Sequence, residues 1–83
     1  MHRDIIFNEL EKYLLKLGFT ALRTSGSHKV FQHPSSEALV ILPAYEQQAY
    51  VHPVHLLAVR RILIENELID RNAFDSFLEK VAS

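Results

Sequence analysis

An α+β domain, with helices on one face of a three-stranded antiparallel sheet, is predicted by three observations. A helical period of apolar residues runs to Leu17, three short strand-like stretches separated by turn residues occupy the middle, and two further helical periods close the chain. With 83 residues there is material for one compact core and too little for two, so residues 1–83 are expected to form a single domain. The apolar share of 48% and charged share of 23% are those of ordinary globular proteins, which excludes a disordered tail.

Ile6, Leu10, Leu14 and Leu17 recur at helical spacing, widened by Ile5 and Tyr13, with Glu9, Glu11, Lys12 and Lys16 on the other side. Asp4 is a suitable N-cap and Gly18 a suitable C-cap, giving a first helix over Ile5 to Leu17. Phe19 to Thr24 has strand composition, Ser25-Gly26-Ser27 marks a turn, and His28 to His33 forms the second strand of a hairpin. Pro34-Ser35-Ser36 ends that strand, and the apolar run Ala38 to Leu42, stopped by Pro43, is the third. Ala44 to Val51 lacks a period and is expected to be a loop.

Pro53 suits the first position of a second helix, where a missing N–H costs nothing. Leu56, Val59, Ile62 and Leu63 form its inner stripe, Arg60 and Arg61 are left to solvent, and the helix should end near Asn66. Asp70 is an N-cap for a third helix, whose Phe74, Phe77, Leu78 and Val81 would supply the last layer of the core. The order is therefore α-β-β-β-α-α.

Nine basic and ten acidic side chains give a net charge of −1, which excludes a uniformly basic nucleic-acid clamp. The distribution is uneven. Residues 1–34 carry five basic and three acidic groups, whereas residues 65–83 carry two basic and five acidic. The hairpin holds Arg23 and Lys29 with no acid between Gly18 and Pro34, a patch able to hold a phosphate or two. Cysteine is absent, which removes disulfides, thiolate catalysis and Cys-based metal sites. No stretch approaches the length of a membrane span or a secretory h-region, so a soluble cytoplasmic protein without membrane association is the expectation.

The hairpin and its surroundings carry a specific set of residues: Leu17-Gly18-Phe19, Arg23, Gly26-Ser27-His28, Phe31, His33-Pro34 and Leu42-Pro43. In this order they resemble the HicA toxin family, also described as YcfA-like, and the resemblance extends from the first helix to Phe74. It implies a fold like that of double-stranded-RNA-binding domains and a metal-independent mRNA endonuclease without cofactor. It also implies neutralisation by a cognate HicB-like antitoxin. The residue two positions after the third-strand proline is often His in the family and is Tyr45 here, and the chain is less basic than its apparent relatives.

By this resemblance His28 is the catalytic residue. An imidazole can take the proton of a ribose 2′-hydroxyl so that its oxygen attacks the adjacent phosphate, leaving a 2′,3′-cyclic phosphate and a 5′-hydroxyl. Arg23 and Lys29, with the Ser25, Gly26 and Ser27 backbone, are the candidates for holding the phosphate. His33 is a candidate general acid, although strand alternation sets it on the opposite face from His28. Whether Val30 or Phe31 faces the core is left open by the sequence: the first choice carries His28 and Gln32 inward, the second Lys29 and His33.

Tyr45 and Tyr50 have rings suited to base stacking, and equally to packing on the sheet. His52 and His55 flank a helix start without a third ligand, so capping or phosphate binding near His55 is favoured over a metal site. The leading expectation is an endoribonuclease toxin acting on mRNA. The alternative is a non-catalytic module of the same fold that binds RNA or an antitoxin. The oligomeric state is open.

Overall fold

A computed structural model describes residues 4–22, 26 and 28–81. Its elements are α1 (Phe7–Lys16), β1 (Thr20–Leu22), β2 (His28–Gln32), β3 (Leu39–Pro43), α2 (Pro53–Glu65) and α3 (Arg71–Val81). The strands form one antiparallel sheet in the order β1-β2-β3. Helices cover one of its faces, as the sequence predicts.

Register decides the question of parity. Phe31 pairs with Ala21 and Val40, Lys29 pairs with Leu42, and Phe31, Val40 and Leu42 are each 1% exposed. These residues face the helices, so His28, Val30 and Gln32 belong to the open face with their partners Pro43, Ile41 and Leu39. The run Ala38 to Leu42, continuous in composition, therefore alternates in space: Ala38, Val40 and Leu42 are buried while Leu39 and Ile41 are exposed. The third strand starts and ends one residue later than its composition suggests.

The core is a cluster built from every layer. Ile5, Phe7, Leu10, Leu14, Phe19, Phe31, Val40, Leu42, Leu56, Val59, Leu63 and Phe74 are among its buried members, and no polar or charged side chain is buried with them among the described residues. Phe74 brings α3 into this core, with Phe77 and Leu78 half-buried beside it. Tyr13 lies between them, stacked on Phe77 at 3.9 Å between ring centroids and edge-on to Phe74 at 6.0 Å.

The start of α1 corrects the sequence reading. Asp4 does not cap it. Ile6 is the N-cap, in extended conformation and without a side-chain cap bond. The free N–H groups of the first turn are instead satisfied by the 44–52 loop, with Phe7 N donating to Ala49 O (2.8 Å) and Asn8 N to Gln47 O (2.9 Å). Val51 N donates to Ile5 O (2.8 Å) and Ile6 forms a bridge with Tyr50, so residues 5–8 strap this loop down along its length.

The end of α1 follows the prediction. Gly18 has φ +105°, Gly18 N donates to Leu15 O and Phe19 N to Leu14 O, both at 3.0 Å. This is the Schellman arrangement, with Leu14 and Phe19 joined in the core. The end of α2 repeats it with a different residue. Glu67 N donates to Ile64 O and Leu68 N to Leu63 O, while Glu67 takes φ +59° where glycine is usually found. At α3 the cap is as expected, Asp70 Oδ1 accepting from Ala73 N at 2.8 Å.

Two outcomes follow from these features. Glu67→Gly relieves the left-handed strain of an L-residue, about 1–2 kcal/mol, and gives back part of it in unfolded-state entropy. A net stabilisation of about 0.5–1 kcal/mol is expected, read as a higher urea midpoint at unchanged slope. Tyr13 titrates above its ordinary value of 10.0, first because burial disfavours the phenolate and second because Asp70 is nearby. The folded state thus holds this proton more tightly than the unfolded state, and its contribution to stability is complete below pH 10 and lost as pH rises through the folded pKa. Denaturation followed across that range should show Tyr13→Phe losing less stability than the wild type. Parallel losses in the two proteins would refute the linkage.

Candidate functional site

His28 opens β2 and pairs with Pro43, the last residue of β3, so it lies at one end of the sheet. It is exposed, on the face that no helix covers. Behind it on the same face, Leu22, Val30 and Ile41 form a row across the three strands, and Leu22 and Ile41 are exposed. A planar group such as a nucleobase has apolar surface to rest on here, with an imidazole at its edge.

Of the proposed phosphate holders, Arg23, Ser25 and Ser27 lie outside the described residues. Gly26 is described, with φ +77° and, its two chain neighbours aside, no atom within 4 Å of the position a Cβ would take. Backbone approach to a ligand is therefore open at Gly26.

Lys29 goes elsewhere. Its position in β2 sends it to the helix-covered face, where Nζ sits 4.5 Å from the centroid of the Phe7 ring. It lines a small cleft there with Glu11, Ala21 and Phe31. His28 and Lys29 adjoin in sequence and project from opposite sides of the sheet.

His33 is bound up in the fold. Its Nε2 is 3.1 Å from Leu17 O, its Nδ1 accepts from Ser36 N at 3.3 Å, and its ring meets Phe19 edge-on at 5.2 Å. Both nitrogens are thus occupied by backbone groups, in the tautomer with the proton on Nε2. A Cβ on Gly18 would come within 3.1 Å of Nε2, so the glycine that closes α1 also makes room for this ring. His33 locks the end of α1 to the turn after β2, and nothing in this arrangement presents it to a substrate.

Tyr45 and His55 form a second polar group at the same end of the sheet. The Tyr45 hydroxyl accepts from His52 N at 2.9 Å and is hydrogen-bonded to His55 Nδ1 at 2.5 Å. The Tyr45 ring stacks on Phe7 at 5.7 Å, and Phe7 and Phe31 are in tilted contact at 6.4 Å. Tyr45 therefore packs down, the second of the two possibilities its position allowed. His52 is the N-cap of α2, its Nδ1 accepting from Val54 N at 3.2 Å. Among the described residues no three His, Cys, Asp or Glu side chains gather as a metal would require.

The sequence signals anticipated the His52 cap, whereas the side of the sheet on which His28 lies was open until the register fixed it. The Tyr45–His55 bond was not visible, because it joins residues ten apart through an aperiodic loop whose path is set by the strap from residues 5–8. No described helix is long and apolar enough to cross a membrane.

Comparison with known proteins gives one finding. No curated protein and no solved structure matches the chain. The family described as HicA toxin of bacterial toxin-antitoxin matches residues 7–63, from the start of α1 through Leu63 of α2 and more than half of the chain. That span contains the whole sheet, His28, the Gly18 turn and the Tyr45–His55 pair, and the chain belongs to the HicA toxin family.

Proposed function

We propose that this chain is the toxin of a toxin-antitoxin pair and acts as a metal-independent endoribonuclease on mRNA, held in check by a HicB-like antitoxin. The observation that carries the reading is the position of His28, exposed on the helix-free face at one end of the sheet. Family membership carries the toxin and its antitoxin partner.

In the reaction His28 removes the 2′-hydroxyl proton, the 2′-oxygen attacks phosphorus, and the bond from phosphorus to the 5′-oxygen breaks. The products are a 2′,3′-cyclic phosphate and a 5′-oxygen that takes a proton. Arg23 and the Ser25-Gly26-Ser27 backbone are assigned to the phosphoryl oxygens, where charge grows as the bond forms. Lys29, on the other face, contributes at most through the field of its charge. The proton for the leaving oxygen comes from the histidine itself after transfer or from water, since His33 is engaged by Leu17 and Ser36.

That engagement of His33, with Lys29 turned away, is also what favours a second reading, a non-catalytic module of the same fold that binds RNA or antitoxin. One assay separates the two. Purified chain is incubated with unstructured RNA in EDTA beside His28→Ala, and the ends are analysed. Cleavage with cyclic phosphate ends, reduced about a hundredfold or more in the variant, is the expected result. Intact RNA in both samples, or equal cleavage in both, would sink the catalytic assignment and leave the binding module.

A further inference from the structure

The two edges of the sheet differ in what they leave unpaired. His33 N donates to Ala38 O at 2.9 Å, and hydrogen-bonded pairs alternate along an antiparallel ladder, so Val40 and Leu42 bond to Phe31 and Lys29. The N–H and C=O groups of Leu39 and Ile41 therefore point away from β2, along the free edge of β3. No hydrogen bond from another described residue reaches them. Both ends of this edge are closed: Pro43 has no N–H and its C=O accepts from Tyr45 N at 2.7 Å, while Glu37, at φ +61°, donates to His33 O. The free edge thus offers the donors and acceptors of Leu39 and Ile41 alone. At the opposite edge β1 is short, and only Ala21 turns its backbone groups outward.

Such an edge is usually blunted by short length, by lysine or by a bulge, and β3 has none of these before Pro43. Its outward residues are instead aliphatic, Leu39 at 44% and Ile41 at 55% exposure. Residues 38–42 carry no charge, so the like-charge repulsion that keeps identical strands apart is missing. The backbone groups are also their own complement. A two-fold axis normal to the sheet at Val40 sets Leu39 opposite the partner's Ile41 and Ile41 opposite the partner's Leu39, so that every free N–H meets a free C=O. A register centred on Ile41 instead sets Leu39 against the partner's Pro43, which has no N–H to give and whose C=O is already engaged.

We propose that β3 pairs antiparallel with β3 of a second copy of this chain, in the register centred on Val40, to give one continuous six-stranded sheet. The axis preserves the faces of the sheet, so the aliphatic row of Leu22, Val30 and Ile41 continues onto the partner's Leu39. His28 of each copy stays on the same helix-free face, the two lying on opposite sides of the seam because each adjoins its own Pro43. The seam is short, which makes it a small interface with a dissociation constant of about 10–100 μM. The pairing is independent of whether His28 cuts RNA.

The test is sedimentation velocity on the full chain from low micromolar to millimolar concentration, beside Leu39→Lys and Ile41→Glu. Both side chains are exposed, so both variants should fold, which circular dichroism checks. Each variant alone sets two charges against aliphatic side chains across the seam and should self-associate about tenfold more weakly or worse. Mixed in equal amounts at low salt, the two variants should associate more tightly than either alone. In the mixed dimer one position then joins opposite charges and the other keeps the wild-type Leu39 and Ile41 pair. A wild-type chain that stays monomeric at millimolar concentration would overturn the proposal, as would self-association that neither variant weakens. Variants that weaken association without recovery on mixing would overturn the register. RNA retention lost selectively in Ile41→Glu, by a chain that is monomeric throughout, would give the edge a different occupant and refute the pairing.

Discussion

The ring of Phe7 is held from three sides, by Phe31 in the sheet, by Tyr45 stacked on one face and by the Lys29 ammonium at 4.5 Å, while its own N–H donates to Ala49 O. Three segments distant in sequence thus meet at one fully buried side chain: the start of α1, strand β2 and the 44–52 loop. The position of Tyr45 depends on this stack, and with it the hydroxyl that ties His52 N and His55 to the start of α2. Replacing Phe7 by a small residue would remove the apolar contacts of a large aromatic, about 3–5 kcal/mol, which is a substantial part of what a domain of this size has.

The same constraint explains the fate of Lys29. An ammonium on the helix-covered side of a sheet needs either water or an electron-rich face, and Phe7 supplies the latter at the rim of the core. What looked in sequence like a tight basic group, His28 beside Lys29, is divided by the sheet into two environments. Of the two, the imidazole remains on the open side, on the face that carries the aliphatic row of Leu22, Val30 and Ile41.

Element order, the three helices and the meander were legible because each depends on local pattern: the 3.6-residue stripe of α1, the glycine after Leu17, the proline that begins α2 and Asp70 before α3. Less legible was whatever depended on distant partners. Asp4 had the right chemistry for a cap, but the first turn of α1 is satisfied by Gln47 and Ala49 instead. His33 had the chemistry of an acid, and its use as a clamp became visible only when Leu17 and Ser36 were brought to its two nitrogens. Strand parity needed the register, since Val30 and Phe31 are both apolar and composition does not rank them. The family motif was readable because its residues cluster within one hairpin and its flanks, and that region lies inside the matched residues 7–63.

The strap of residues 5–8 has a consequence for how the chain assembles. The hairpin and meander join residues close in sequence, but Ile5 and Val51 meet at a separation of about 46 residues. Closing so long a loop costs entropy that only the finished core repays, so this junction belongs among the last contacts made and the first released. Pro53 begins α2 two residues after Val51, which couples release of the strap to the seating of that helix. Loosening the first residues of α1 therefore frees residues 47–51, and with them the segment that leads into the first turn of α2.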